Sequence, residues 1–169
     1  MKNLYMMIGL PGTGKTTYIL NNFLNLENCV LENDVPWVIS SDANIEIVAN
    51  VFGLTYSEVW ESAAKLAEFV MYKELSQAIR DEVDIIWDQT NITRKTRANK
   101  LSKIPKDYKK YAYVVIPPEK NEWERRLLSR SDKIIPSHVL SSMIDRFEYP
   151  TLEEGFDAII PIGASNDNN

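Results

Sequence analysis

The sequence predicts an α/β fold, a mostly parallel sheet of about five strands flanked by helices. Three observations carry that expectation. Five short apolar runs alternate with stretches of helical periodicity, the order that βαβ units require. A glycine-rich turn stands between the first apolar run and the first helical stretch. At 169 residues the chain suits one domain, long enough to bury a substantial core.

The expected strands are Asn3–Ile8, Pro36–Ser40, Ile85–Asp88, Tyr111–Ile116 and Ala158–Ile162. A helix over Lys15–Phe23 follows the glycine-rich turn, and "SSDANIEIVANVF" reads as a helix start with Ser41 or Asp42 as its N-cap. From Ser57 to Ile79, Trp60, Ala63, Ala64, Ala67, Val70, Met71, Leu75 and Ala78 recur at helical spacing. Asn121 can cap a helix running to Arg130 with Trp123, Leu127 and Leu128 on one side. Ser137 can cap another, with Val139, Leu140, Met143, Ile144 and Phe147 as its buried stripe. No repeat or Gly/Ser-rich linker divides the chain, so residues 1–162 read as one domain and 163–169 as a frayed tail.

The 44% hydrophobic and 25% charged composition is that of a soluble globular protein. A single cysteine, Cys29, excludes an internal disulfide framework and a clustered-cysteine zinc site. No apolar run reaches membrane-spanning length and the N-terminus lacks signal-peptide organisation. The expectation is a cytoplasmic enzyme with no membrane partner, its oligomeric state unspecified. The net charge of −5 is unevenly placed: Arg94 to Lys110 holds eight basic residues against Asp107, a local +7 that leaves −12 elsewhere. That run is either a solvated helix face and loop or a patch that guides a polyanion.

"GLPGTGKTT" contains Gly9-x-x-x-x-Gly14-Lys15-Thr16, the spacing of a P-loop. Gly9, Gly12 and Gly14 let backbone N–H groups turn toward phosphate oxygens, and the loop also carries Thr13 and Thr17. Lys15 can reach β- and γ-phosphates and the Thr16 hydroxyl can ligate Mg²⁺, so ATP with Mg²⁺ is the expected ligand pair. Asp88, ending the apolar run "DIIWD", either holds that Mg²⁺ or simply terminates a strand. Asp42 ends "VISSD", where strand ends face the ligand crevice. It could accept the proton of an attacking hydroxyl, or it could cap the following helix. Arg126 and Arg130, four apart on one helical face, could neutralise a transferring phosphoryl group or be solvated helix residues. Arg125 points elsewhere, and the single histidine, His138, reads as structural or exposed. The expected architecture is thus a P-loop kinase fold with an arginine-bearing lid.

Taken in order, "GLPGTGKTT", "SSD", "DQTN" and "RLLSRSDKIIPSHVLSSM" resemble the kinase domain of the bacteriophage polynucleotide kinase/phosphatase family. The more telling parts are Thr90-Asn91 before an Arg-rich helix, Lys133-Ile134-Ile135-Pro136 after the lid arginine, and Val139–Met143. The resemblance implies transfer of the ATP γ-phosphate to a 5′-hydroxyl of DNA or RNA. It makes Asp42 the general base, Arg130 the lid arginine with Arg126 beside it, and nucleic acid the partner in a host cytoplasm. Two departures stand out. The family's arginine three residues after the general base is Ile45 here, so Arg94 or Arg97, with Asn91, would have to grip the acceptor. No Asp-x-Asp-x-Thr phosphatase motif occurs, so any repair role would be kinase-only. Related P-loop kinases phosphorylate a hydroxymethylated pyrimidine in DNA, or a nucleoside or small metabolite, and these are the alternative acceptors. Outside kinase chemistry stand an NTPase switch, which would need a water-positioning residue, and a non-catalytic nucleic-acid-binding module.

Overall fold

Pleating along the first strand, β1 (Lys2–Ile8), sends Leu4, Met6 and Ile8 into one apolar cluster and Tyr5 and Met7 into another. A strand buried on both faces belongs at the centre of a parallel sheet covered by helices. The computed structural model, which describes residues 2–24, 35–130 and 132–163, places it there. The sheet has the order β2-β3-β1-β4-β5, with β2 at Trp37–Ile39, β3 at Ile85–Asp88, β4 at Tyr108–Val115 and β5 at Ala158–Ile162. All four pairings are parallel, and Leu4 lies between Ile85 and Lys110. The expected α/β class is therefore the observed one.

Strands β3 and β5 have the expected bounds. Strand β4 begins three residues earlier than expected, because its lysines are satisfied locally and do not interrupt the ladder. Lys109 pairs with Asp157, and the Lys110 ammonium donates to the Pro105 and Tyr108 carbonyls. Strand β2 is short and half-exposed, as suits an edge.

Helix α1 (Lys15–Asn22) covers the Met7 face, where Ile19 packs on Ile86 and Val115. The opposite face receives the C-terminal half of α3 (Tyr56–Arg80) through Met71, Leu75 and Ala78, and α4 (Arg94–Leu101) through Leu101. Before it reaches the sheet, α3 forms a hairpin with α2 (Ser41–Phe52), and the pair encloses a small core of its own: Ile45, Ala49, Tyr56, Val59, Ala63 and Ala67. Trp60, expected in the buried stripe, is 53% exposed because it projects past this narrow seam.

Two helices lie off the sheet. Helix α5 (Lys120–Leu128) follows Glu119 rather than a capping Asn121, and its apolar side rests on the glycine-rich loop. Helix α6 (Ser137–Asp145) follows Pro136, with Ser137 as its first helical residue. Its expected stripe is not a core face: Val139, Leu140 and Met143 are half-buried and Ile144 is exposed, while Phe147 reaches the main core. Amphipathic spacing marked the helix correctly, but none of its residues is fully buried. The tail expected at 163–169 lies outside the described residues apart from Gly163, as does Cys29.

Candidate phosphoryl-transfer site

The loop between β1 and α1 is shaped by what approaches it. A Cβ on Gly9 would stand 2.7 Å from the Val115 carbonyl oxygen of β4. Gly12, at φ +76°, could carry a Cβ only 2.9 Å from the Leu127 side chain, so glycine is what lets α5 seat on the loop. The Trp123 indole N–H pins that seat by donating to the Pro11 carbonyl at 2.8 Å. Gly14 precedes α1 with no side-chain cap, which leaves the first helical N–H groups aimed outward, as anion binding requires.

Within the loop, Lys15 folds back so that its ammonium donates to the Gly9 and Leu10 carbonyls at 3.0 and 2.9 Å. Burial lowers its pKa to about 8 against the opposing pull of Asp88. The Thr13 hydroxyl donates inward to the Leu10 carbonyl at 3.0 Å, so the side chain shapes the loop and its outward face is backbone. Thr17 lines the cleft. The Thr16 hydroxyl donates to Asp88 at 3.0 Å, across from the end of β3. Burial holds the Asp88 carboxyl above its usual range, with Lys15 and Thr16 opposing. These two hard oxygens at a phosphate cradle fit Mg²⁺, whose charge would offset the cost of burying the carboxylate.

A cleft of about 570 Å³ opens over the loop between Gly14 and Tyr18 on one side and Val115, Pro118 and α5 on the other, within the range of small-ligand sites. Arg126 and Arg130 both line it. Glu122 holds Arg126 at 2.7 Å and, on its other oxygen, Arg125 at 2.7 Å, and these two bonds pull its carboxyl down to about 2. Arg125 is exposed as expected, but at the rim of the cleft. Arg130, beyond the end of α5, lies close enough to Lys15 for its charge to disfavour the ammonium.

Asp42 satisfies neither sequence reading alone. It occupies the first turn of α2 at the end of β2, yet Ser40 is the cap, its hydroxyl accepting from the Ala43 N–H. The carboxylate is therefore available for other work. Oδ1 accepts from the Tyr56 hydroxyl at 2.8 Å and Oδ2 from the Lys133 ammonium at 2.6 Å, which sits 4.1 Å over the Tyr56 ring. Burial and Asp42 together hold the Tyr56 phenol well above its usual range. Asp42 and Lys133 both act on the titration of Lys15 and Asp88, so these four charges share one crevice. Sequence reasoning singled out neither Tyr56 nor Lys133 as a site residue. Only the Lys-x-x-Pro spacing behind Arg130 marked Lys133; Tyr56 has no sequence signal.

Most of the residues expected to grip the acceptor are engaged within the fold. Arg97 is fully buried: Nε and Nη2 donate to the two Glu154 oxygens at 2.7 Å, and Nη1 to the Asn91 and Glu148 carbonyls. Asn91 is also buried, at φ +50°, with its amide donating to the Met7 carbonyl at 2.7 Å. Its Oδ1 accepts from Lys100, a buried ammonium whose pKa burial lowers to about 7. Arg94 stays half in solvent but donates to Thr151 and pairs with Glu154. Ile45 is 2% exposed inside the hairpin core. Three of the eight basic residues, Arg94, Arg97 and Lys109, are thus paired by two acids, Glu154 and Asp157, that lie some fifty residues further along the chain. His138 is exposed.

A strand, glycine-rich loop and helix that bring a lysine, a threonine and a strand-end aspartate to one crevice define a P-loop nucleotide-binding protein. The chain belongs to the family described as an AAA domain, whose profile matches residues 4–150. Three solved structures share its fold. A candidate kinase from Chloroflexus aurantiacus J-10-fl superposes with a TM-score of 0.69 at 16% identity, over 96% of this chain and 85% of the other. A sugar kinase from Janibacter sp. HTCC2649 gives 0.54 at 18% identity, over 96% and 86%. A gluconokinase from Sinorhizobium meliloti 1021 gives 0.53 at 14%, over 96% and 83%. Among the described residues no helix is long and apolar enough to cross a membrane.

Proposed function

We propose that this protein is an ATP-dependent phosphotransferase acting on the hydroxyl of a small, non-polymeric acceptor. One observation carries the choice of acceptor: of the positions that would grip a polynucleotide end, Ile45, Asn91 and Arg97 are buried, and Arg94, half in solvent, is engaged by Thr151 and Glu154. The kinase names of the similar structures, two of them for sugar-type acceptors, point the same way. The motif likeness to phage polynucleotide kinases supports a second reading, a 5′-hydroxyl acceptor.

In the reaction, the loop N–H groups and Lys15 hold the β- and γ-phosphates while Arg130, with Arg126, meets charge developing on the transferring group. The acceptor oxygen bonds to the γ-phosphorus as the bond to the bridging oxygen breaks and ADP leaves. The acceptor proton passes to Asp42, which first orients that hydroxyl. Mg²⁺, held by Thr16 and Asp88, would supply charge neutralisation at the phosphates.

The test offers γ-labelled ATP with sugars and sugar acids, free nucleosides, 5′-hydroxyl oligonucleotides and 5′-blocked hydroxymethyl-base DNA. Label on a small polyol or nucleoside is expected. Label only on oligonucleotide ends or on modified DNA would overturn the small-acceptor reading, and no label anywhere would overturn phosphotransfer to these alcohols.

Lys15 adds a pH signature. Phosphate restores its charge, so binding raises the pKa from about 8, and the complex takes up a proton above that pH. ATP affinity should be flat just below pH 8 and fall above it, as measured by calorimetry in buffers of different ionisation enthalpy. Lys15→Met should weaken binding and remove that break.

A further inference from the structure

We infer that Lys133 is a positioning residue: with Tyr56 it fixes the carboxylate of Asp42, and it makes that alignment depend on docking of the segment behind α5. The inference rests on the phosphotransfer reading and adds to it the group that sets the acceptor geometry.

Among the described residues, the carboxylate has one bonded partner on each oxygen, Tyr56 and Lys133. Each oxygen keeps a further lone pair, so the two bonds fix the plane of the group without filling it. Lys133 is less exposed than the acids it serves, with a side chain 16% accessible against 49% for Asp42 and 53% for Glu46, which it approaches at 3.6 Å. An ammonium settled that deeply, against an aromatic face, is an anchor for Asp42 rather than a mobile surface ion.

The anchor is itself strapped down. The Asp132 carbonyl accepts from both the N–H and the hydroxyl of Ser57 at 3.2 Å, and the Ile134 N–H donates to the Ser57 hydroxyl at 3.2 Å. Residues 132 and 134 are thereby stitched to the first turn of α3, beside Tyr56. Arg130 lies three residues before Lys133. The same short segment thus carries the arginine at the donor phosphates and the lysine that aligns the acceptor's carboxylate, so seating one seats the other. A loose, dissociative transition state asks for a group that orients the acceptor hydroxyl more than for a strong base.

The test compares Lys133→Met, Lys133→Arg and Tyr56→Phe with the wild type, using the acceptor identified above. It measures kcat, the KM for acceptor, the Kd for ATP and amide hydrogen exchange at Ser57 and Ile134 in the protein without nucleotide. Lys133→Met should lower kcat about 10²-fold, the scale of a misplaced reacting group, with the ATP Kd changed less than twofold and faster exchange at both amides. Lys133→Arg should recover most of kcat. Tyr56→Phe keeps the ring and loses the hydroxyl, so it should lower kcat several-fold, and it carries the kinetic arm should Lys133→Met not fold. Wild-type kcat in the methionine variant, or loss of ATP binding in parallel with kcat, would overturn the inference. If the wild type transfers phosphate to none of the acceptors, the proposed function fails, and exchange still decides the structural coupling: unchanged protection at Ser57 and Ile134 in a folded Lys133 variant overturns it, and faster exchange supports it.

Discussion

Replacing Arg97 with methionine should destabilise the protein by about 3–5 kcal/mol, the range for breaking a buried ion pair from one side. The guanidinium and the Glu154 carboxylate are almost wholly out of solvent. Without the arginine, that carboxylate keeps the longer Arg94 contact and the Thr151 N–H but loses both of its short charged bonds, and the Asn91 and Glu148 carbonyls lose their donor as well. A melting temperature lowered by roughly 6–20 °C follows for a domain of this size, and a urea titration should show the midpoint falling. Adding Glu154→Leu to Arg97→Met should recover part of the loss by removing the buried charge that has lost its close partner. The opposite result, an unchanged melting temperature with weaker oligonucleotide binding, would restore Arg97 to an exposed acceptor patch.

Asp42→Asn should lower phosphoryl transfer by about 10²–10⁴-fold, the range for a lost acid–base group, while the Kd for ATP stays within twofold. Asparagine can still accept from Tyr56, but it removes the charge facing Lys133 and the site for the acceptor's proton. Stability should change little, because Ser40 caps α2 and an acidic residue in that first turn contributes only about 0.3–1 kcal/mol through the helix dipole. Near-normal transfer in Asp42→Asn would leave Asp42 a helix residue and nothing more. Intrinsic fluorescence for nucleotide binding and label transfer for turnover separate the two outcomes.

The phosphate loop was legible because its signals are local. Glycines, a lysine and a threonine within eight positions, between an apolar strand and a helix, specify the loop by their own geometry, and Asp88 stands where the apolar run of β3 ends. The partners of Asp42 and Arg97 were not, because they are distant in sequence. Arg97 read as a surface cation among seven other basic residues until Glu154, 57 positions away, closed on it. Lys133 meets Asp42 across 91 positions, a pairing that no periodicity encodes. The stripe on α6 failed for a related reason: spacing gives the apolar side of a helix, but whether a surface waits to cover it is a property of the whole fold.

The separate small core of the α2–α3 hairpin has a bearing on how such a protein can diversify. The nucleotide loop is built on the sheet, whereas Asp42 and Tyr56 ride on a hairpin sealed by its own six apolar side chains. On the proposed function, substitutions along the hairpin's rim can accumulate without disturbing the strands beneath the phosphate cradle, so acceptor preference can drift in a lineage while the donor chemistry is inherited unchanged. Ile45 shows the boundary of that freedom. Buried in the seam, it can be exchanged only for another residue that packs, and a lineage in which a charged side chain held this position would have had to rebuild the hairpin around it.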